Sequence, residues 1–293
     1  MKKMRFVFLS AALVATLAAL PAQARPTLVA AKVAAAPVID GAAADAAWAS
    51  AEELRVRDQV AEVDISLKAV YTAEEIFFLV SYADPEENRL HKPWVWNKSL
   101  ESYVPGPQRE DSFTFKWNMM DRPVDLSNFS DDSYRADVWY WKAGRSDPSG
   151  YSDDQTHILS DTPDRRAQEV TSRSGRKRYL VRPPDAGDAA SEPRLVLDYE
   201  GEVVDQFTHR APTGSRADIK AKGVWKDGRW TIEFARKLDT GHDDDLRFDP
   251  KAGLDYLFGV SIYGLYGEPL DPSQPTRYGQ GRISELIHLN FAP

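Results

Sequence analysis

The stretch VDISLKAVY, residues 63–71, alternates apolar and polar side chains along almost its whole length. Asp64, Ser66 and Lys68 occupy every second position, and the residues between them are apolar. This period of two predicts a half-buried β-strand. After a short turn, residues 76–83 repeat the pattern with aromatic and β-branched side chains. The two stretches together therefore predict an antiparallel hairpin.

Short strand patterns continue along the rest of the chain, whereas long helical periodicity is almost absent. The sequence WKDGRW at 225–230 places an Asp-Gly turn between two strands, which is a strong hairpin signal. The fold class that follows is mainly β, an antiparallel two-sheet sandwich with short helical connections. The other predicted strands are residues 112–118, 137–143, 256–263 and 285–291.

Composition excludes several classes of function. The 293 residues include 37 Lys and Arg against 45 Asp and Glu, for a net charge of −8. Nucleic acid is not an expected partner, because its phosphates would meet net repulsion. The chain has no cysteine, which excludes disulfides, thiolate zinc sites, iron–sulfur clusters and covalently attached c-type haem. No phosphate loop, nucleophile elbow or HExxH motif occurs either.

Residues 1–24 have the pattern of a cleaved secretory signal peptide. A basic start is followed by the uncharged apolar run Phe6–Leu20, and Ala22-Gln23-Ala24 supplies a small-x-small cleavage site. Cleavage would remove three positive charges and leave a net charge of about −11. No later stretch approaches the roughly 20 apolar residues of a membrane span. We therefore expect a periplasmic protein with no membrane span in the mature chain.

The amino-acid composition changes between about residues 159 and 217, where Asp, Arg, Ser and Pro dominate. Such a composition buries little apolar surface. The strand patterns on both sides have the same character, which favours a polar insertion within one domain over a linker between two. The predicted organisation is a signal peptide at 1–24 and one β-sandwich domain at 25–293.

Seven short segments spread over the predicted domain carry a family resemblance. They are Ala36–Gly41, His91–Trp96, Glu110–Phe113, Asp137–Ala143, Asp147–Tyr151, Asp227–Trp230 and Phe258–Ile262. Together they resemble the ethylbenzene-dehydrogenase-related haem-binding family, and the first is similar to the opening of family-9 carbohydrate-binding modules. The resemblance implies a periplasmic β-sandwich that holds haem b non-covalently, commonly through methionine and lysine. It also implies electron transfer to a redox partner protein, such as a molybdoenzyme-type subunit.

A haem site needs a large apolar slot, since the porphyrin has to leave water. Five of the eight tryptophans fall between positions 94 and 141, and we take them as candidate cofactor-binding residues. Alternatively, these rings fill the sandwich core, which is the commoner use of aromatic strands. The five are Trp94, Trp96, Trp117, Trp139 and Trp141.

Methionine ligation is testable because the chain has few methionines. Only Met119 and Met120 remain once the signal peptide is removed, so one of them is the expected thioether ligand. Strand alternation places Met119 on the Trp117 side and Met120 on the other, which favours Met119. The alternative is that a methionine fills an irregular gap in the core.

The second iron ligand has two candidate types. Lys142 lies beside Trp141 in an aromatic strand, and it would have to be a neutral amine to bind iron. Its alternative role is an edge residue whose ammonium reaches water. The family's lysine in the last strands has no counterpart here, because no lysine follows Lys251. Imidazole is the other type, and His157 ranks ahead of His91 and His288 because it follows the matching segment ending at Tyr151.

Acidic clusters at residues 243–245, 131–132 and 153–154 raise a weaker possibility of Ca²⁺ binding, although their spacing is not that of an EF-hand.

From the resemblance and the candidate ligands together, the leading hypothesis is a haem electron carrier, alone or as the cytochrome subunit of a redox complex, and not an independent enzyme. The alternative is a carbohydrate-binding module in which Trp94, Trp96 and Trp139 stack on sugars. A haem-free scaffold that binds another protein is a third possibility.

Overall fold

The computed structural model describes residues 25–59, 61–194, 199–251, 253–263, 283–284 and 286–293. The predicted signal peptide at 1–24 lies outside them. Within the described part of the chain, no helix has the length and apolar character needed to cross a membrane. Short 3-10 helices cover Ala46–Ser50, Asp147–Ser149 and Gly214–Ala217. The strands are β1 Thr27–Lys32, β2 Leu54–Asp58, β3 Val63–Tyr71, β4 Glu75–Ala83, β5 Trp94–Asn97, β6 Ser102–Pro105, β7 Ser112–Asn118, β8 Tyr134–Lys142, β9 Asp153–Ser160, β10 Gln168–Thr171, β11 Lys177–Val181, β12 Ser191–Pro193, β13 Val203–Val204, β14 Phe207–His209, β15 Lys220–Lys226, β16 Arg229–Lys237, β17 Tyr256–Tyr263 and β18 Ile287–Phe291.

Most strands join one hydrogen-bonded path, in the order β10-β11-β9-β8-β7-β17-β18-β1-β3-β4-β16-β15, with β2 paired to β3. Strand β1 runs parallel to both of its neighbours, and the other pairings of this path are antiparallel. Two small sheets, β12-β14 and β13-β5-β6, lie outside it.

The path folds into two layers that share one aromatic core. Phe78 of β4 lies 5.0 Å, centroid to centroid, from Phe115 of β7. Trp141 of β8 lies 4.9 Å from Trp230 of β16. Rings from the two halves of the path therefore pack against one another in the interior, as in a sheet-on-sheet packing. The predicted mainly antiparallel β-sandwich is confirmed.

Local patterns predicted several elements with their bounds. Strands β3, β7 and β17 have the limits that alternation indicated. The Asp-Gly turn joins β15 to β16, with positive φ angles of 52° at Asp227 and 76° at Gly228. Two successive positive φ values match the twist of a tight hairpin, and glycine adopts the second without steric cost.

The outer face of the β7–β9 region carries a second hydrophobic cluster. Strand β11, within the predicted polar insertion at about 159–217, pairs with β9, and β10 pairs with β11. The insertion thus extends the sheet beside this cluster, while its status as part of a single domain stays a prediction. The buried members of the cluster are Val124, Leu126, Tyr134, Ala136, Val138, Leu159 and Leu180.

Candidate functional site

A cavity of about 630 Å³ lies on the outer face of the sheet, where β7, β8 and β9 run side by side. Its size falls within the roughly 300–1,000 Å³ of cofactor and small-molecule sites. Strand β10 and the residues around Phe129 also line the cavity, so part of the predicted insertion borders it. The lining residues on which the chemistry depends are Val138, Tyr140, Lys142, Arg145, His157 and Arg182.

Strand alternation decides which side chains reach the cavity. Phe113, Phe115 and Trp117 of β7 are fully buried in the core, so Thr114 and Lys116 between them lie on the outer face. The same rule sends Asp137, Trp139 and Trp141 of β8 inward and Val138, Tyr140 and Lys142 outward, and the register pairs β7 with β8 in phase. The face opposite the aromatic core is therefore the face that borders the cavity.

His157 is the most unusual group in the cavity wall. His157 is only 8% exposed, and neither ring nitrogen has a hydrogen-bond partner among the described residues. Burial lowers the pKa of His157 well below its usual value, and the nearby charges of Lys116 and Arg182 lower it further. The imidazole is therefore neutral at physiological pH and has a free nitrogen lone pair. Such a group is a ready ligand for a metal.

Lys142 lines the same cavity but has a partner. Its Nζ lies 2.6 Å from Asp153 Oδ2 and 4.5 Å from the ring centroid of Tyr140. Burial lowers the pKa of Lys142, and the charge of Asp153 opposes this effect. Burial by itself would raise the pKa of Asp153, but the charges of Lys142 and Arg216 outweigh it and lower that pKa. The pair therefore remains ionic.

Lys116 was missed in the sequence, although it lies in an aromatic strand as Lys142 does. Its Nζ is 2.7 Å from Tyr134 Oη and 3.2 Å from Asn128 Oδ1. No carboxylate among the described residues lies within ion-pair distance, and burial lowers the pKa of Lys116 well below its usual value. This buried amine lies on the same sheet face as His157. The strand pattern FTFKWN was the signal that could have revealed it.

Two arginines of the cavity wall were also missed. Arg145 is ion-paired with the buried Glu110. Arg182 donates to the Gln168 side chain at 2.8 Å, and no carboxylate of the described residues pairs with it. An unpaired guanidinium in a cavity wall favours an anionic group on the ligand.

The five candidate tryptophans lie in two separate places. Trp117, Trp139 and Trp141 have no exposed surface and belong to the solid aromatic core, where Trp117 is 5.4 Å from Trp139. Trp94 and Trp96 lie on β5 in a small separate sheet. The structure therefore does not bring the five into one cleft, and none of them lines the cavity. Their assignment to haem binding stays a prediction.

The two candidate methionines follow β7 directly. The Met119 N–H donates to the Arg135 carbonyl at 3.1 Å. Met120 packs against the outer hydrophobic cluster, and its Sδ accepts the Arg135 N–H at 3.3 Å. Neither is a cavity-lining residue, but Met120 lies on the same side of the sheet as His157. Iron ligation by either sulfur stays a prediction.

A family model described as ethylbenzene dehydrogenase matches residues 31–264. Two solved structures of a family-9 carbohydrate-binding module from Caldicellulosiruptor kristjanssonii are similar to the chain, each with 14% identity and a TM-score of 0.38. The likeness to the cellotriose complex covers 91% of this chain and 95% of that chain. For the glucose complex the shares are 92% and 97%. No curated protein matches the chain.

Proposed function

Since the chain belongs to the ethylbenzene dehydrogenase family, we propose that it binds one haem b non-covalently in the outer-face cavity and carries electrons. The observation that supports this most is His157, a buried, neutral imidazole without a hydrogen-bond partner in the wall of a cavity of cofactor size. Buried polar groups are normally satisfied, and an exception needs an explanation. A bound iron would provide one.

The other wall residues fit the two faces of a haem. Val138, Val170 and Phe129 offer apolar contact to a porphyrin, and Tyr140 and Tyr263 add ring surface. At the polar rim, Arg182 and Lys142 supply the positive charge that two propionate groups need. The cavity therefore combines apolar and aromatic side chains with cationic ones, as amphipathic cofactors require. Its remaining wall is polar and includes Thr114, Asn128, Gln155, Gln168 and Glu169.

Within this site, His157 is the residue that would hold the iron. The haem supplies a one-electron redox couple, and the protein sets its potential through the axial ligands, burial and nearby charge. His157 and Lys142 do not share one iron, because the register pairs His157 with Ala136, six residues from Lys142 along β8. Six residues of strand span about 20 Å. Lys142 is thus better placed as a propionate partner.

Met120 is the methionine that would hold the iron together with His157. It follows Asn118, which pairs with Ala136, and Ala136 pairs with His157. Asn118 therefore lies two strands from His157, about 10 Å across the sheet, and Met120 follows it by two residues. A thioether ligand would favour reduced iron and raise its potential. Binding iron would replace only the weak hydrogen bond from the Arg135 N–H.

The cellular role follows from this chemistry. Residues 1–24 would direct the chain to the periplasm, where it would exchange electrons with a partner protein such as a molybdoenzyme-type subunit. The chain itself would not be an enzyme, because its part is to hold and tune the cofactor. The acidic surface expected of the processed chain favours partners with a basic docking face.

The test is a spectrum of the full chain expressed in the periplasm with haem supplied. We expect a Soret band that shifts on reduction with dithionite, in the wild type and in Gln155→Ala. The latter is the matched control, because Gln155 lines the cavity on the same strand and face as His157. His157→Ala should lose the band or change its position and width, and added imidazole should restore it. A wild-type protein that takes up no haem would overturn the proposal.

A second candidate function rests on the small sheet. Trp96 is 37% exposed and packs edge-on against Tyr103 at 5.1 Å. Tyr103 stacks on Tyr199 at 4.5 Å, and Trp94 meets the same tyrosine. A partly exposed aromatic group of this kind is suited to stacking on sugar rings. Trp139, the third tryptophan that this alternative invoked, is fully buried and takes no part in it.

The two candidates give opposite results on cellulose. A sugar-binding module would be retained on insoluble cellulose, and Trp96→Ala would abolish the retention while Trp225→Ala would not. We expect the wild type to pass through unretained and to carry haem. If the wild-type protein were colourless and retained on cellulose, sugar binding would become the better supported function.

A further inference from the structure

A buried ion pair lies between the two layers, away from the cavity. Arg236 Nη1 is 2.6 Å from Asp137 Oδ2, and both side chains have no exposed surface. The guanidinium also covers the Trp139 ring, with its carbon 4.8 Å from the ring centroid. Asp137 Oδ2 accepts the Leu246 N–H at 3.0 Å as well. One positive and one negative charge therefore balance here.

Two more carboxylates adjoin this pair and share its one cation, since Arg236 Nη1 also lies 3.8 Å from Asp245 Oδ1. Oxygen atoms of Asp137, Asp154 and Asp245 all lie within 4.8 Å of one another. Asp154 has no exposed surface and Asp245 is 9% exposed. Both oxygens of each, and Oδ1 of Asp137, have no hydrogen-bond partner among the described residues. One oxygen of each aspartate therefore lies in the same small volume, and five of their six oxygens accept no hydrogen bond from the described residues.

The charge of this group does not balance. Three carboxylates face one guanidinium, so the four buried side chains carry a net charge of −2 when they are ionised. Burying unpaired carboxylates is costly, and the usual remedies are protons or a metal ion. Burial raises the pKa of Asp154 well above its usual value, and the charges of Asp137 and Asp245 raise it further. The same causes act on Asp245, although Arg236 opposes them.

We propose that Asp137, Asp154 and Asp245 bind one Ca²⁺ ion. The cluster offers only hard oxygen atoms, which suit Ca²⁺ and not soft metals. Asp154 supplies the second observation beyond the clustering of acids, since its carboxylate is fully buried, has no donor and faces the other two. A charge of +2 neutralises the excess, and Asp137 can bind through Oδ1 while Oδ2 keeps Arg236.

Calcium also fits better than magnesium. The three aspartates come from β8, from β9 and from the turn after β16, so they have no regular octahedral frame. Ca²⁺ accepts six to eight oxygens in irregular arrangements, whereas Mg²⁺ demands near-ideal octahedral geometry. Asp245 also groups with the more exposed Asp218 and His242. Through Asp245, the buried aspartates therefore adjoin a more exposed polar group.

The experiment is a metal titration of the full chain after treatment with EGTA. We expect one Ca²⁺ per chain and a thermal midpoint several degrees higher in about 1 mM CaCl2 than in EGTA, with MgCl2 much less effective. Tb³⁺ should replace Ca²⁺ and emit when Trp139 is excited, since that ring lies beside the cluster. Asp154→Asn should remove the Ca²⁺ response and the Tb³⁺ emission. Asp243→Asn, an exposed neighbour, is the control and should retain both.

Wild-type protein that gains no stability from Ca²⁺ and gives no sensitised Tb³⁺ emission would overturn the proposal, because the aspartates would then be protonated. Retention of stoichiometric binding in Asp154→Asn would overturn it too. Should Asp154→Asn fail to fold, Asp245→Asn and the wild-type stoichiometry decide the matter. Haem content does not enter these measurements, so the calcium site is tested separately from the cofactor.

Discussion

Lys142 Nζ donates to Asp153 Oδ2 at 2.6 Å at the point where β8 ends and β9 begins. The other carboxylate oxygen of Asp153, Oδ1, accepts a hydrogen bond from Arg216. The carboxylate therefore has two cations and Lys142 has one anion, which leaves positive charge available at this end of the cavity. His157 lies toward the other end of β9, so a ligand in the cavity meets an uncharged imidazole and a cationic rim in different places.

This arrangement predicts the effect of Lys142→Met. The Soret maximum should stay in place, while the affinity for hemin should fall by about tenfold or less, because one rim ion pair contributes on the order of 1 kcal/mol. Titration of the haem-free protein with hemin measures both quantities. Lys98→Met, at an exposed site far from the cavity wall, should match the wild type. A displaced Soret band in Lys142→Met would make the lysine an iron ligand and refute its assignment to the rim.

The methionines provide a matched pair of variants. Met120→Leu should shift the reduced spectrum and lower the reduction potential, since leucine removes the thioether but keeps the apolar contacts with the outer cluster. Met119→Leu should leave both unchanged. Spectra and redox titrations of the two variants decide between them, and the opposite result would restore Met119 as the preferred ligand.

Substitution of a core tryptophan should lower the stability of the protein without changing its haem spectrum. Trp117 contacts Phe258 at 4.5 Å and Phe248 at 5.1 Å between centroids, and its Nε1 has no hydrogen-bond partner among the described residues. Trp117→Phe should therefore lower the free energy of unfolding by about 1–2 kcal/mol through lost packing. Its haem spectrum should equal that of the wild type. Loss of haem from a folded Trp117→Phe protein would place the cofactor among the core rings instead.

Alternation in the sequence separated the two faces of each strand but not their roles. In β7 it assigned Phe113, Phe115 and Trp117 to one face, and the structure agrees. Aromatic residues suit a packed core and a cofactor slot equally well, so composition could not decide which they formed. The decision came from the facing layer, where Phe78 fills the space between the rings. That contact joins residues far apart in the chain, and no local pattern contains it.

The cavity was harder to predict because part of its wall comes from the polar segment. The residues from 159 to 217 suggested solvated loops, yet β10 supplies a wall and β11 pairs with β9. Short strands of charged residues bury little apolar surface, so hydrophobic periodicity does not detect them. His157 was selected by its place after a family segment, and Lys142 by its aromatic strand. Lys116 lies in the aromatic strand β7 but outside the family segments, so the resemblance does not mark it.

Buried carboxylates at one end of the core predict how stability depends on pH. Asp111 Oδ2 accepts the Trp230 Nε1–H at 3.1 Å and the Asn88 N–H at 2.7 Å, while Oδ1 has no partner among the described residues. Burial, reinforced by the charge of Asp84, raises the pKa of Asp111 to about 8. Burial likewise raises the pKa of Asp84 to about 7. The folded state therefore binds these protons more tightly than the unfolded chain does.

The sign of the effect follows from linkage. A carboxyl group whose pKa is raised by folding stabilises the protein fully below its unfolded pKa of about 4, and this stabilisation is lost as the pH rises through the folded value. We expect the thermal midpoint of the wild type to fall between about pH 5 and pH 9. Asp111→Asn cannot ionise, so its midpoint should fall less over the same range, whereas Asp64→Asn, an exposed control, should follow the wild type. Parallel curves for the wild type and Asp111→Asn would show that Asp111 is already ionised in the folded protein.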